Sequence, residues 1–191
     1  MKILREVGIT ILIALAVFVL LRLTVQSYTV VMSSMEPNFH DGECIMVNKV
    51  CYRSSGPQRG EVIVFYPPFD SEYPFIKRVI GLPGETVEIK DGKVSIDGIP
   101  LEEEEYIMAP PNYTMTEVLE DEYFVLGDNR NNSTDSSKGW TVPRDNIIGK
   151  AWFIYWPPSK LGVVKHYSYP ELTEAGEQDM MVSHSFRVQL E

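Results

Sequence analysis

The hydrophobic pattern of the first 25 residues differs from that of the rest of the chain. Residues 7–25 are almost continuously apolar, and Arg22 is the only charged side chain among them. At ~1.5 Å per residue, a helix of this length spans ~28 Å, close to the thickness of the hydrocarbon core of a bilayer. Arg22 lies near the C-terminal end of the run, where its long side chain can reach the lipid headgroups. The pattern predicts a transmembrane helix.

From Thr29 onward the pattern changes to short apolar runs separated by turn residues. The clearest element is a hairpin over residues 86–97, where alternating apolar positions flank Asp91 and Gly92. Other strands are predicted at residues 43–49, 61–66, 75–81, 122–126 and 147–156. Many short strands with little helical periodicity predict a mainly β protein, in which a single N-terminal transmembrane helix precedes an all-β domain with a folded sheet or a barrel-like shape.

These elements suggest three parts. Residues 1–27 form a short N-terminal tip and the transmembrane segment, and residues 28–164 form the β domain. Within this domain, residues 98–121 are acidic and rich in Pro and Asn, so we expect a surface excursion there. Residues 165–191 are mixed and weakly periodic, and the sequence assigns them no role.

The charges around the apolar run predict its orientation. Lys2 and Arg5 precede it, so the positive-inside rule places the N-terminus in the cytoplasm. The chain would then cross the cell membrane once, and the β domain would lie on the extracytoplasmic side. A cleaved signal peptide shares this pattern. The run is long for a signal peptide, and no clear small-x-small site follows it before Tyr28. A retained anchor is favoured, and the sequence leaves cleavage open.

The charge balance excludes one class of partner. The formal net charge is −10, and the 166 residues after the apolar run carry 14 basic and 26 acidic side chains, a net charge of −12. An acidic domain is unsuited to nucleic acid or to electrostatic adhesion to anionic lipid. The three histidines are scattered, so no metal or cofactor is expected. The two cysteines, Cys44 and Cys51, could form a disulfide or remain free thiols.

Four motifs in the β domain carry the candidate chemistry. They are SMEP (residues 34–37), DGE with Val47 and Lys49 (41–49), KRVIGLPGE (77–85) and GDNRNNSTDS (127–136). In this order, and after an apolar anchor, they resemble the sequence boxes of the bacterial type I signal peptidases, which are membrane-bound serine–lysine peptidases that remove signal peptides. The resemblance covers most of residues 1–156. It implies a serine endopeptidase.

A lysine can serve a serine nucleophile only if it is neutral. The ordinary lysine pKa of ~10.4 must then fall by several units, which burial against apolar surface achieves. Lys77 stands between the apolar pairs 75–76 and 79–80, and this context permits such burial, although most lysines are exposed. His40 is close to Ser34 in sequence, but no partner that would orient it is evident.

The resemblance implies roles for individual residues. Ser34 corresponds to the nucleophile, Lys77 to the general base and Ser133 to the serine that orients this lysine. Seven further residues have supporting or substrate-facing counterparts. Asp128 and Arg78 correspond to a structural ion pair and Asp135 to a second bracing carboxylate, Gly127 lets the loop pass close to the site, and Met35, Phe75 and Ile76 line shallow substrate pockets.

Three positions depart from the family pattern. Met32 stands where some members have a hydroxyl that stabilises the oxyanion, so the backbone N–H of Ser34 and another donor must do this. Ser137 replaces an arginine, which leaves Asp135 to pair with Lys138 or with no residue. Asn38 replaces the usual threonine after the proline.

The resemblance also implies the substrate. Preproteins bearing signal peptides would bind as an added strand beside residues 29–33 and 73–76, with small residues, typically Ala-x-Ala, before the cut. The lipid bilayer is the other expected partner, and the oligomeric state is unknown. Two alternatives stay open: a related serine–lysine peptidase with narrow clients such as pilus or spore-coat proteins, and a non-catalytic membrane-tethered β module.

Overall fold

The structure, a computed structural model, describes residues 2–103 and 113–172. It contains one α-helix and twelve β-strands in this part of the chain: α1 (Lys2–Thr24), β1 (Val25–Thr29), β2 (Cys44–Asn48), β3 (Val62–Phe65), β4 (Phe75–Gly81), β5 (Thr86–Lys90), β6 (Lys93–Ile96), β7 (Ile99–Pro100), β8 (Tyr113–Glu117), β9 (Glu122–Leu126), β10 (Val142–Pro143), β11 (Ile147–Trp156) and β12 (Gly162–Val163). Short 3₁₀ helices span Arg130–Asn132, Ser136–Lys138, Arg144–Asn146 and Pro158–Lys160. The predicted fold class, mainly β after an N-terminal apolar helix, is confirmed.

Helix α1 is long and apolar enough to cross a membrane, as judged by length and composition. Its segment Arg5–Thr24 has a mean hydropathy of 2.5, and none of this segment is buried against the rest of the protein. The helix ends at Thr24, and the chain continues directly into strand β1, which the sequence pattern did not predict. The backbone N–H of Lys49 donates to the carbonyl of Thr24 at 2.9 Å, so the end of β2 is bonded to the end of the helix.

The larger sheet has eight antiparallel strands and supports the candidate site. Seven of them follow the order β1-β2-β11-β3-β4-β9-β10, and β12 pairs with β11. Strand β11 spans ten residues and pairs with β2, β3 and β12, with register shifts that bend it. All four residues of β3 are buried, so its neighbour β4 lies deep within the domain.

The smaller sheet has the order β7-β6-β5-β8. Its centre is the predicted hairpin, in which Asp91 and Gly92 both have positive φ (49° and 77°), as a tight two-residue turn requires. The segment 98–121, expected as a surface excursion, instead supplies β7 and β8 to this sheet at its two ends. Residues 104–112 of that segment lie outside the described part of the chain.

Three clusters of buried apolar side chains form the core. One contains Met35 and Phe39 together with residues of β2, β3 and β11. A second packs the small sheet against β4 and β9, and Tyr169 belongs to it. Tyr169 lies in the segment 165–191, so the beginning of that segment packs against the β domain. Its continuation beyond Leu172 lies outside the described residues.

Candidate active site

Ser34 lies in the loop that joins β1 to β2, and this loop is fixed from two sides. The Met35 side chain is fully buried in the core, so the residue after Ser34 anchors the loop. On the other side, Asn129 donates from its backbone N–H to the carbonyl of Ser34 and from Nδ2 to the carbonyl of Ser33, both at 3.1 Å. The Ser34 backbone therefore has little freedom to shift.

Lys77 approaches Ser34 from strand β4. Its Nζ donates to Ser34 Oγ at 2.7 Å and to the carbonyl of Ile76 at 2.9 Å. The residue is only 4% exposed, and its partner across the sheet on β3 is the buried Ile63. Burial lowers the pKa of Lys77 from 10.5 to about 8, although Asp135 and Asp128 oppose this shift by favouring the cation. The pair thus combines a hydroxyl with an amine that deprotonates near neutral pH.

Ser133 and Gly127 lie beside this pair. The Ser133 hydroxyl is buried and has no hydrogen-bond partner among the described residues, so it is not bonded to Lys77 in this structure. A Cβ built at Gly127 would lie 2.3 Å from Ser133 Oγ and 2.5 Å from the Ser34 carbonyl oxygen. No side chain fits there, so glycine is required for the loop to pass between the two serines. The role of Ser133 as the group that orients Lys77 stays a prediction.

Arg78 and Asp128 form a fully buried, bidentate ion pair behind the site. Arg78 Nε and Nη2 donate to the two Asp128 oxygens at 2.8 and 2.7 Å, and neither side chain is exposed. Arg78 also donates to the carbonyls of Gly60 and Lys165, and its guanidinium lies 3.9 Å from the centre of the Tyr167 ring. The hydrogen bonds satisfy N–H donors of Arg78, and the Tyr167 ring packs against its guanidinium. The ion pair can therefore hold the loop of residues 127–130 in place.

The Asp135 carboxylate has two kinds of partner, and the Lys138 side chain is not among those seen in the described residues; Lys138 contacts Asp135 only through its backbone N–H, which donates to the Asp135 carbonyl at 3.0 Å. One oxygen accepts from the backbone N–H of Gly127 at 2.9 Å. The other accepts from the N–H and the hydroxyl of Ser137, at 3.1 and 2.7 Å. Ser137 thus supplies the contact for which the sequence suggested Lys138 or no partner.

A cavity of about 980 Å³ opens beside Ser34 and Lys77. Its walls come from residues 28–34, 73–77 and 131–134, with smaller contributions from Asp41, Ile45 and Val64. Phe75 and Ile76, predicted to line substrate pockets, are part of the wall. Met35, predicted with them, is fully buried in the core instead and is not among the lining residues.

Two polar residues support the site without having been assigned a role from the sequence. Asn38 donates from Nδ2 to Asp128 Oδ2 at 2.7 Å and to the hydroxyl of Tyr167 at 2.9 Å. The SMEP motif directs attention to position 38, but the weakly periodic segment around Tyr167 gives no such signal. His40, the histidine nearest Ser34 in sequence, contacts Glu43 at 3.2 Å and is not part of the cavity wall.

Known proteins match this chain over most of its length. The family model described as "Signal peptidase, peptidase S26" matches residues 4–156. The protein named probable signal peptidase I-1 of Synechocystis sp. is 42% identical over 168 residues, which are 83% of this chain and 85% of the relative. Signal peptidase I of Leptolyngbya laminosa is 41% identical over 167 residues, 83% and 80% of the two chains.

A solved structure is also similar. It is a signal peptidase I from Enterococcus faecalis V583, 35% identical, which covers 50% of this chain and 97% of its own, with a TM-score of 0.43. The predicted family and enzyme class are confirmed by the family match and the relatives. This chain belongs to the signal peptidases of peptidase family S26, a family of serine endopeptidases.

Proposed function

We propose that this protein is a membrane-anchored type I signal peptidase in which Ser34 is the nucleophile and Lys77 the general base. The observation that carries the proposal is the 2.7 Å hydrogen bond between Lys77 Nζ and Ser34 Oγ, made by a lysine that is almost fully buried. The intact pair and the adjacent cavity argue against a non-catalytic module. Ser133, with its unpaired buried hydroxyl next to this pair, is proposed to hold Lys77 as substrate binds.

The chemistry follows from the protonation state of Lys77. Neutral Lys77 accepts the Ser34 proton as Oγ attacks the carbonyl carbon of the scissile peptide bond. The resulting lysinium then donates that proton to the leaving amine, the peptide C–N bond breaks, and an ester to Ser34 remains. A water molecule, deprotonated by Lys77, attacks the ester, and the collapse of this second intermediate releases the carboxylic acid and regenerates Ser34.

We propose that the substrate binds in the cavity as an extended strand. Strand β9 pairs with β4 only from Arg78 onward, so Phe75, Ile76 and Lys77 have no strand partner on that side among the described residues. An extended peptide can add there, with its side chains against Phe75 and Ile76. These two apolar side chains would favour small residues such as alanine before the cut, as in an Ala-x-Ala site.

The anchor would place this site at the membrane surface. Helix α1 ends at Thr24, ten residues before Ser34. With the N-terminus in the cytoplasm, the cavity would lie just outside the bilayer, where the apolar segment of a preprotein signal peptide holds its cleavage site. Tethering both partners to one membrane raises their effective concentration, so tight binding is not needed.

The test is cleavage of a preprotein with an Ala-x-Ala site by the full-length protein in detergent. We expect cut products at that site from the wild type and none from Ser34→Ala. Ser95→Ala, on strand β6 of the smaller sheet, is the matched control and should cleave like the wild type. Absence of cleavage by the wild type, with a folded protein, would refute the proposed substrate class.

The pH dependence of cleavage tests the identity of the base. Only the neutral form of Lys77 accepts the Ser34 proton, and its pKa is about 8. We therefore expect kcat/KM to rise about tenfold per pH unit below pH 8 and to level off above it. A limb near ~6.5, the ordinary histidine value, that disappeared in His40→Ala would show that a histidine is the base instead.

A further inference from the structure

The reaction creates a negative charge that the site must stabilise. When Ser34 attacks, the substrate carbonyl oxygen becomes an oxyanion, which serine peptidases usually hold with two converging hydrogen-bond donors. The Ser34 backbone N–H has no hydrogen-bond partner among the described residues, so it is available as one donor. Met32, which lines the same cavity two residues earlier, has a thioether and no donor in its side chain. A second donor must come from elsewhere.

Ser33 has the hydrogen-bond state that a second donor needs. Its Oγ accepts a hydrogen bond from Asn132 Nδ2 at 2.8 Å, and its own hydroxyl proton has no acceptor among the described residues. A hydroxyl that accepts one bond is polarised and has its proton left to donate. Ser33 and Asn132 both line the cavity into which the scissile bond would enter.

The backbone around Ser33 is held in place by several hydrogen bonds. Its carbonyl accepts from Asn129 Nδ2 and from the N–H of Glu36, each at 3.1 Å. On the preceding side, Asp41 Oδ1 accepts the N–H of Met32 at 2.8 Å, and Met32 adopts a left-handed conformation with φ of 69°. A non-glycine residue persists in this conformation when its surroundings fix it. Adjacent donors on a fixed backbone need no rearrangement when the oxyanion forms.

We propose that the hydroxyl of Ser33, held by Asn132, donates the second hydrogen bond to the oxyanion, beside the backbone N–H of Ser34. Ser33 is then a catalytic residue and Asn132 a positioning residue. No covalent bond involves Ser33, and its proton stays on Oγ throughout the reaction. This inference rests on the proposed role of Ser34 as the nucleophile.

The test compares kcat and KM for the preprotein substrate across single variants of the full-length protein. Removal of one oxyanion donor typically lowers kcat by about 10²–10³-fold, so Ser33→Ala should lose about this much with KM changed less than about threefold. Ser33→Thr keeps the hydroxyl and should retain most of the rate. Asn132→Ala should show a smaller loss of kcat, because the hydroxyl remains but is no longer held.

Two further measurements separate this role from a structural one. The lower limb of the pH profile should stay near pH 8 in Ser33→Ala, because Lys77 is untouched. Met32→Ser introduces a hydroxyl two residues before Ser34, and the double variant Met32→Ser/Ser33→Ala should recover at least about tenfold in kcat over Ser33→Ala, if the new hydroxyl replaces the lost donor. Ser95→Ala is again the matched control.

The possible failures are distinguishable. If the wild type cleaves, Ser34→Ala does not, and Ser33→Ala keeps its kcat within about twofold, the Ser33 proposal is overturned while the proposed function stands. A loss of kcat in Ser33→Ala that is matched by a lower melting temperature and by no rescue in the double variant also overturns it. If Ser34→Ala cleaves like the wild type, the nucleophile is another residue and both proposals fail.

Discussion

Replacing Lys77 with methionine is expected to lower kcat/KM by at least about 10⁴-fold, since removing one member of a catalytic unit costs roughly as much as removing the unit. Methionine fills a similar volume but cannot accept the Ser34 proton. The loss should appear in kcat and persist at every pH, because no other amine or imidazole bonds to Ser34 among the described residues. Single-turnover cleavage of a preprotein measures it.

The same substitution is expected to stabilise the fold at neutral pH. The pKa of Lys77 falls from 10.5 to about 8 on folding, so the folded state binds fewer protons between these values and becomes more stable as the pH rises from 8 to 10.5. Below pH 8 the full cost of burying the cation remains, about 3 kcal/mol from this shift. Methionine removes this cost and loses two hydrogen bonds, for a net gain of about 1–2 kcal/mol at pH 7.

Urea unfolding of Lys77→Met and of the wild type, at pH 7 and at pH 10, measures this gain. The difference between the two proteins should shrink at pH 10. Lys93→Met, at an exposed position in the small sheet, is the matched control and should change neither activity nor stability. An active Lys77→Met variant would contradict the role of Lys77 as the base, and a variant less stable than the wild type at pH 7 would contradict the account of its burial.

Replacing Asp128 with alanine is expected to destabilise the protein by about 3–5 kcal/mol, because it leaves a buried cation without its counter-ion. Arg78 is inaccessible to solvent and makes both of its carboxylate bonds to Asp128. At ~2–4 °C per kcal/mol for a domain of this size, the melting temperature should fall by about 10 °C. Cleavage should weaken as well, because Asp128 precedes Asn129, which holds the backbone of Ser34.

A double variant separates the unpaired charge from the loss of contacts. Arg78→Met/Asp128→Leu removes both charges, so it should recover at least about half of the lost stability, since apolar residues often replace a buried ion pair without net cost. Asp70→Ala, at an exposed aspartate, is the matched control and should shift stability by less than about 0.5 kcal/mol. If Asp128→Ala cost less than about 1 kcal/mol, the pair would not be the brace that its geometry suggests.

The strands that could be predicted are those whose first and last residues are determined by the sequence immediately around them. Residues 75–81, 122–126 and 147–156 match β4, β9 and β11 to the residue, because apolar runs end there at Pro, Gly or polar positions. Strand β1 was not predicted, since the polar residues of Val25–Thr29 (VQSYT) form no apolar run, and the segment becomes a strand by pairing with Cys44–Asn48. Its extended state depends on a partner 15 or more residues away.

The candidate site shows the same division. Ser34, Lys77 and the residues around Asp128 could be identified from motifs, because the residue types and their order can be read directly from the sequence. The burial of Lys77 depends on Ile63 of β3, its partner across the sheet, and no local pattern reports that contact. The contributions of Asn38 and Tyr167 are also tertiary. They become evident only from the folded structure, in which Asn38 donates hydrogen bonds to the Asp128 carboxylate and to the Tyr167 hydroxyl.

The contacts of Arg78 have a consequence for when the enzyme matures during its synthesis. Ser34 is made early, but the carbonyl of Lys165 and the ring of Tyr167, which complete the surroundings of Arg78, are made more than 130 residues later. Contacts so distant in sequence form last as a chain leaves the ribosome. Ser34, the proposed nucleophile, is therefore synthesised long before the contacts of Arg78 are complete, so we expect the proposed catalytic pair to reach its final surroundings only after the segment around Tyr167 has been made.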